Sequence, residues 1–237
     1  EIQNILKFKN NQIFEGQSQI NYAQNKLEYK YIFENNNINI SSPPKKKINF
    51  SLDSKIQLKP FYFNGRLIIK NKKVENIIDN FLLNLLLYNE DYIGNFNGKL
   101  KIKFHELNNK LIKKGELDLI INERKIHLDK AKFKLDKIGY IETNLFFLEK
   151  QGDLKFVSNN QLYVENHIEF AKTFQVGSKK IKYIKNIYFD LEKKIGETDF
   201  IVTNIRINKK DNKINSNETY IVKNIQNLRS HIRKIID

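Results

Sequence analysis

The chain has 237 residues, enough for one elongated domain or two small ones with a real core. It carries 42 Lys and Arg against 27 Asp and Glu, a net charge of +15, and no cysteine, which excludes a disulfide framework, a thiolate zinc site and a cysteine nucleophile. The lysine excess invites a nucleic-acid reading. However, Arg is scarce, the lysines are spread along nearly every segment, and Lys, Asn and Ile are all heavily used, as A+T-rich codons produce. A solvated lysine surface is therefore expected, and no nucleic-acid partner.

The chain begins at Glu1, contains no methionine, and opens on ILKFK, which reads as the middle of a strand. It is expected to be a fragment of a longer protein, with any leader or anchor outside it. Alternation of apolar and polar residues follows in KLEYKYIFE at 26–34, INISS at 38–42, KINFSL at 47–52 and FNGRLIIK at 63–70. Period two marks strands with one buried and one wet face. SSPPKKK at 41–47 is the one Pro-rich stretch and is expected to be a loop.

Between 73 and 88 the period changes. Val74, Ile77, Ile78, Phe81, Leu82, Leu85 and Leu86 recur at three- and four-residue spacing, which predicts an amphipathic helix packed on a sheet or plugging its open end. Its longest apolar run, 81–88, is far short of the roughly 20 residues a membrane span needs, and Asn84 interrupts it.

Alternation resumes in KLKIKFHEL, with Leu100, Ile102 and Phe104 on one face and Lys99, Lys101 and Lys103 on the other. It continues through 116–122, a segment near 132, then 140–149, 153–158, 187–192 and 199–208. Short polar breaks at 35–37, 94–98, 108–115, 122–124 and 151–152 suit hairpin turns and antiparallel neighbours rather than βαβ crossovers. The stretch ETYIVKNIQNLRSHIRKIID, with Ile221, Ile225, Leu228, Ile232 and Ile235 on one side, predicts a closing C-terminal helix. The expected class is thus mainly β, an elongated, curved antiparallel sheet with two helices. A domain boundary is expected near 72, between an N-terminal β segment at 1–72 and a β region at 73–237, with one continuous sheet through both.

Catalytic and metal motifs are missing. His105, His127, His167 and His231 lie far apart without metal-ligand spacing. GNFNGK at 94–99 has three residues between its glycines where a phosphate loop needs about four, and Leu100 stands where Ser or Thr would hold magnesium. In DNKINSNE, Lys213 occupies a calcium-ligand position and the central glycine is absent. No G-x-S-x-G occurs, and Glu90 and Asp91 are poorly placed as an acid/base couple. No enzyme activity and no cofactor are expected.

Each apolar strand face must be covered by a second sheet, a helix or a ligand. A sealed sandwich and an open apolar groove share this pattern, so both remain open, as does a structural or adhesive module of a surface protein. The region at about 95–208 resembles the C-terminal part of AsmA-like proteins. The residues that carry the resemblance are ENIIDNFLLNLLL followed by NGKLKIKFHEL, the ladders from ELDLIINERKIHLDKAKFKL to DLKFVSNNQLYV, and HIEFAKTFQVGSKKIKYIKNIYFDLE leading through a short helical FAKTFQ segment to ETDFIVTNIRIN. The resemblance implies a non-enzymatic periplasmic protein, anchored in the inner membrane by a segment outside this chain, that supports outer-membrane assembly by moving phospholipid or another acyl-chain lipid along a β-groove. Expected lining residues are Leu100, Ile102, Phe104, Leu117, Leu119, Phe133, Leu145 and Phe147, which share an apolar face with their strand neighbours.

Overall fold

The computed structural model describes residues 2–8, 13–22, 25–42, 50–70, 73, 97–122, 125–150, 153–177, 181, 184–208, 213–216, 218–223 and 225–236. The chain forms two compact units. The first comprises Glu1–Val74, Asn84–Asn108 and Glu116–Asp129, and the second Glu75–Leu83, Asn109–Gly115 and Lys130–Asp237. The class is mainly β, and the pairing is antiparallel in all but one of the described strand pairs.

The first unit holds β1 (Ile2–Phe8), β2 (Phe14–Tyr22), β3 (Asn25–Glu34), β4 (Asn37–Ser41), β5 (Phe50–Leu58), β6 (Phe61–Lys70) and β7 (Gly98–His105). β8 (Ile112–Asn122) and β9 (Lys125–Leu135) contribute residues to both units. The second unit holds β10 (Gly139–Lys150), β11 (Asp153–Val164), α1 (His167–Phe174), β12 (Asn186–Lys194), β13 (Phe200–Asn208), β14 (Lys213–Ser216), β15 (Tyr220–Val222) and α2 (Ile225–Ile236). Strand order is sequence order from β1 to β14, and β15 shares β13 with β14.

The turn between β3 and β4 shows why short polar breaks give neighbouring strands. Asn35 and Asn36 have φ of 46° and 63°, the two left-handed residues of a tight hairpin turn whose twist matches the strands it joins. Asparagine tolerates that backbone better than other residues with a β-carbon, and Asn37 Nδ2 donates to Asn35 O at 2.8 Å.

Three expectations change. β6 and β7 run parallel, pairing Phe63 with Gly98 and Ile69 with Phe104. Parallel neighbours need a long connection, and residues 71–97 supply one. Gly115, expected in a break, lies inside β8. Tyr220–Val222, expected as helix, pair with Phe200–Val202 of β13; Tyr220 is buried there and α2 starts at Ile225. Apart from Lys73, the helix expected over 73–88 lies outside the described residues, as do residues 43–47 of the loop expected at 41–47 and most of the breaks at 94–98, 122–124 and 151–152.

α1 begins where Asn166, in extended conformation, accepts from the Glu169 N–H, and it ends at Gln175 in the left-handed conformation, whose N–H donates to Ala171 O. These caps satisfy backbone groups a helix leaves unpaired. Its buried side, Phe170, Ala171 and Phe174, joins Leu135, Ile138, Leu162, Ile184, Ile187, Val202, Ile207, Tyr220 and Ile236 in the core of the second unit. α2 packs Leu228, Ile232 and Ile235 on the same core, and Arg229 Nε donates to Thr173 O at 2.6 Å, tying the two helices together.

Candidate apolar binding face

The registers of the first unit align like side chains across neighbouring strands. One row runs Phe14, Phe33, Ile38, Ile56 and Phe63 from β2 to β6. The next runs Gly16, Tyr31, Ile40, Ser54, Gly65 and Leu100 from β2 to β7. Because directly paired residues project to the same side of a sheet, these rows lie on a single face. The reverse face carries Gln17, Lys30, Glu34, Asn39, Lys55, Gln57, Asn64, Arg66 and Lys99, all exposed.

Coverage changes along that apolar face. From β2 to β5, Phe14, Tyr29, Tyr31, Phe33, Ile38, Ile40, Leu52 and Ile56 are only half-buried. Beyond the half-buried Phe63, Leu67 and Leu100 the same face closes, and Ile69, Ile102, Phe104, Leu117 and Leu119 have almost no exposed surface. Phe14 and Phe33 stack with ring centroids 4.5 Å apart, a contact that adds to their area burial. Tyr31 covers Gly16 and Phe63 covers Gly65, each ring occupying the space a side chain on the glycine would need.

Two serines lie on the same face, Ser54 within the second row and Ser18 beside Tyr29. Ser18 and Ser54 are both buried, and Ser54 Oγ has no hydrogen-bond partner among the described residues. An unpaired buried hydroxyl costs about 1–3 kcal/mol.

The eight expected lining residues divide between the units. In the first, Leu100 is half-buried, whereas Ile102, Phe104, Leu117 and Leu119 are fully buried and belong to the closed part of the face. In the second, Leu145 is buried, and Phe133 and Phe147 are half-buried. Phe133 pairs with Ile141, and Phe147 meets Phe156 edge-on at 5.7 Å. The half-buried residues of β2 to β5 were not among the expected lining residues. The alternation that marked their strands was the available signal, but it does not say which stretch of a face is covered.

No group of His, Cys, Asp or Glu among the described residues is arranged to hold a metal ion. Charged groups on the outer surface pair locally, as Lys101 does with Asp118 at 3.3 Å and Lys132 with Glu142 at 3.4 Å. No described helix is long and apolar enough to cross a membrane. The chain matches no family model, and no curated protein or solved structure is significantly similar to it.

Proposed function

We propose that the chain handles lipid without catalysis, and that the half-exposed face from β2 to β5 is where acyl chains lie. The observation that carries this reading is the pair of cross-strand rows, Phe14 to Phe63 and Gly16 to Leu100. Apart from the buried Gly16, Ser54 and Gly65, their residues are apolar and half-buried, so the two rows keep contact with solvent across several strands. Exposed contiguous apolar surface of this kind marks a binding site, and burial of methylene groups contributes about 0.8 kcal/mol each. Such a strip selects for chain length and apolarity rather than for a particular headgroup.

The setting we propose follows the residue pattern at 95–208. The chain would be part of an AsmA-like protein, held in the inner membrane by a segment outside these residues and supporting outer-membrane assembly from the periplasm as a phospholipid conduit. A structural or adhesive role is the competing reading, and the helix-covered core of the second unit favours it for that unit alone.

Native mass spectrometry and displacement of a fluorescent fatty-acid probe test the lipid reading. Lipid carried through purification, and probe binding weakened at least about tenfold by Tyr31→Asp or Ile40→Asp, are the expected results. Ile32→Asp, on the reverse face, should leave binding unchanged. A chain that carries no lipid and takes up no probe has no acyl-binding face.

A further inference from the structure

The second unit is chemically polarised between its two ends. In an antiparallel meander alternate connections fall at the same end, and the structure ties three of them together. Ile138, in the β9–β10 turn, accepts from the N–H groups of Glu165 and Asn166 at 2.9 and 3.0 Å, and Val164 N donates to Lys185 O at 3.0 Å. Leu111 and Ile112, leading into β8, pack on the core that contains Leu135, Ile138 and Ile184.

Lys110, Lys113, Lys114, Lys134, Lys137, Lys172 and Lys185 lie on these connections, at the adjoining strand ends or on α1, and all seven are exposed. The described carboxylates on the same segments are Glu106, Asp136, Glu165 and Glu169. None of the seven lysines forms an ion pair with a described residue, and Lys113 Nζ donates to Asn109 O at 2.9 Å. The opposite end differs. There Lys194 pairs with Asp153 at 2.9 Å, Lys155 with Glu192 at 3.5 Å and Lys223 with Asp199 at 3.4 Å. Among the described residues, lysine charge is thus paired with carboxylates at one end and not at the other.

An apolar side chain stands among these lysines. Ile168, in the first turn of α1, is 76 % exposed, the most exposed large hydrophobic residue described. Lys172 follows it four residues later on the same side of the helix, while Phe170, Ala171 and Phe174 face the core.

We infer that this lysine-rich end of the second unit docks on an anionic lipid surface, with Ile168 entering the boundary between headgroups and acyl chains. Each lysine near such a surface adds attraction that salt screens, and an apolar residue flanked by ammonium groups suits an interface. The cluster is all lysine, which meets phosphate as a point charge without reading bases, and an exposed isoleucine gains nothing from a nucleic-acid backbone. The inference stands independently of acyl-chain binding by the first unit.

Co-sedimentation of the full chain with vesicles tests it, using phosphatidylcholine alone and equal parts of phosphatidylcholine and phosphatidylglycerol. The chain is expected on the anionic vesicles only, and less as salt rises. Replacing Lys113, Lys114, Lys137 and Lys185 together by Gln should lower partitioning at least about a hundredfold. Ile168→Ser should lower it about tenfold while leaving the melting temperature unchanged, because that side chain is exposed. As a charge-matched control, replacing Lys55, Lys99, Lys130 and Lys223 by Gln should keep binding within about threefold. Equal binding to both vesicle types overturns the inference, as does an equal loss in both quadruple variants. Binding of single-stranded RNA, governed by the four lysines in a chain that ignores vesicles, overturns it as well. Uptake of the fatty-acid probe should be unchanged by these lysine replacements, so failure here leaves acyl binding intact.

Discussion

The ring of Phe133 on β9 lies over Gly115 on β8 so closely that a β-carbon on the glycine would stand 2.7 Å from Phe133 Cε1. Gly16 under Tyr31 and Gly65 under Phe63 repeat the arrangement, with a β-carbon 2.5 and 2.7 Å from ring carbons. Glycine weakens a strand and permits it to bend, and an aromatic ring laid over it restores the missing packing.

Gly115→Val should therefore destabilise the chain by about 1–3 kcal/mol through overpacking. Urea unfolding checks this, and pairing the substitution with Phe133→Ala should recover part of the loss. A purely additive double variant would show that the ring and the glycine are not coupled.

Burial separates the apolar residues that hold the fold from those left partly exposed. Phe104 has no exposed surface, so Phe104→Ala should cost about 3–5 kcal/mol. Phe33 is half-buried on the open stretch, and Phe33→Ala should cost about 1–2 kcal/mol while weakening uptake of the fatty-acid probe. Similar losses at the two sites in urea unfolding would contradict the difference in burial.

On the outer surface of the second unit Asp190 accepts from Asn159 Nδ2 at 2.8 Å and from Asn204 Nδ2 at 2.7 Å. Asn204 stands at a register irregularity between β12 and β13 with φ of 53°. Asn204→Ala keeps a β-carbon in the left-handed region and loses the hydrogen bond, at a cost of about 1–2 kcal/mol. Asn204→Gly loses only the hydrogen bond and should be the milder change. The order of the two melting temperatures decides the point.

Lys234 Nζ lies 2.8 Å from Glu218 Oε2. Hydrogen bonds from Lys234 and then Tyr220 hold the Glu218 carboxyl below the ordinary glutamate range, and the bond to Glu218 raises the Lys234 ammonium above the ordinary lysine range. A lowered carboxyl stabilises the fold above its unfolded value, and that contribution is lost as pH falls through the folded one. A raised ammonium contributes below its unfolded value and loses its contribution as pH rises through the folded one. The contact between α2 and the segment preceding β15 is therefore complete at neutral pH and weakens in acid and in strong alkali. In a carbon-detected NMR titration, Lys234→Gln should move the Glu218 midpoint upward. An unmoved midpoint would mean that Lys234 does not set it.

Much of the architecture was legible because a strand repeats every two residues. Lys99 to Phe104 alternate in the sequence as they do on β7, with Ile102 and Phe104 buried and Lys99 exposed. Asn35 and Asn36 announced their turn through residue type, and α2 through its three- and four-residue spacing. The parallel pairing of β6 with β7 was not legible, because it joins segments separated by 71–97 and no local pattern encodes which way a returning strand runs. β15 was missed for a related reason. Tyr220–Val222 form a strand only because β13 offers them a partner.

The amino-acid sequence by itself determined the β class, the two faces of most strands and the absence of recognisable catalytic motifs, because these depend on residue type and short-range spacing. Only the tertiary structure decided where an apolar face is closed, at Ile102 and Phe104, and where it stays half-open, at Tyr31 and Ile40. It alone gathered Lys113, Lys137 and Lys185 at one end of the second unit. Alternation is identical whether protein, lipid or water meets a face, and charges spaced tens of residues apart become neighbours only when the strands between them pair.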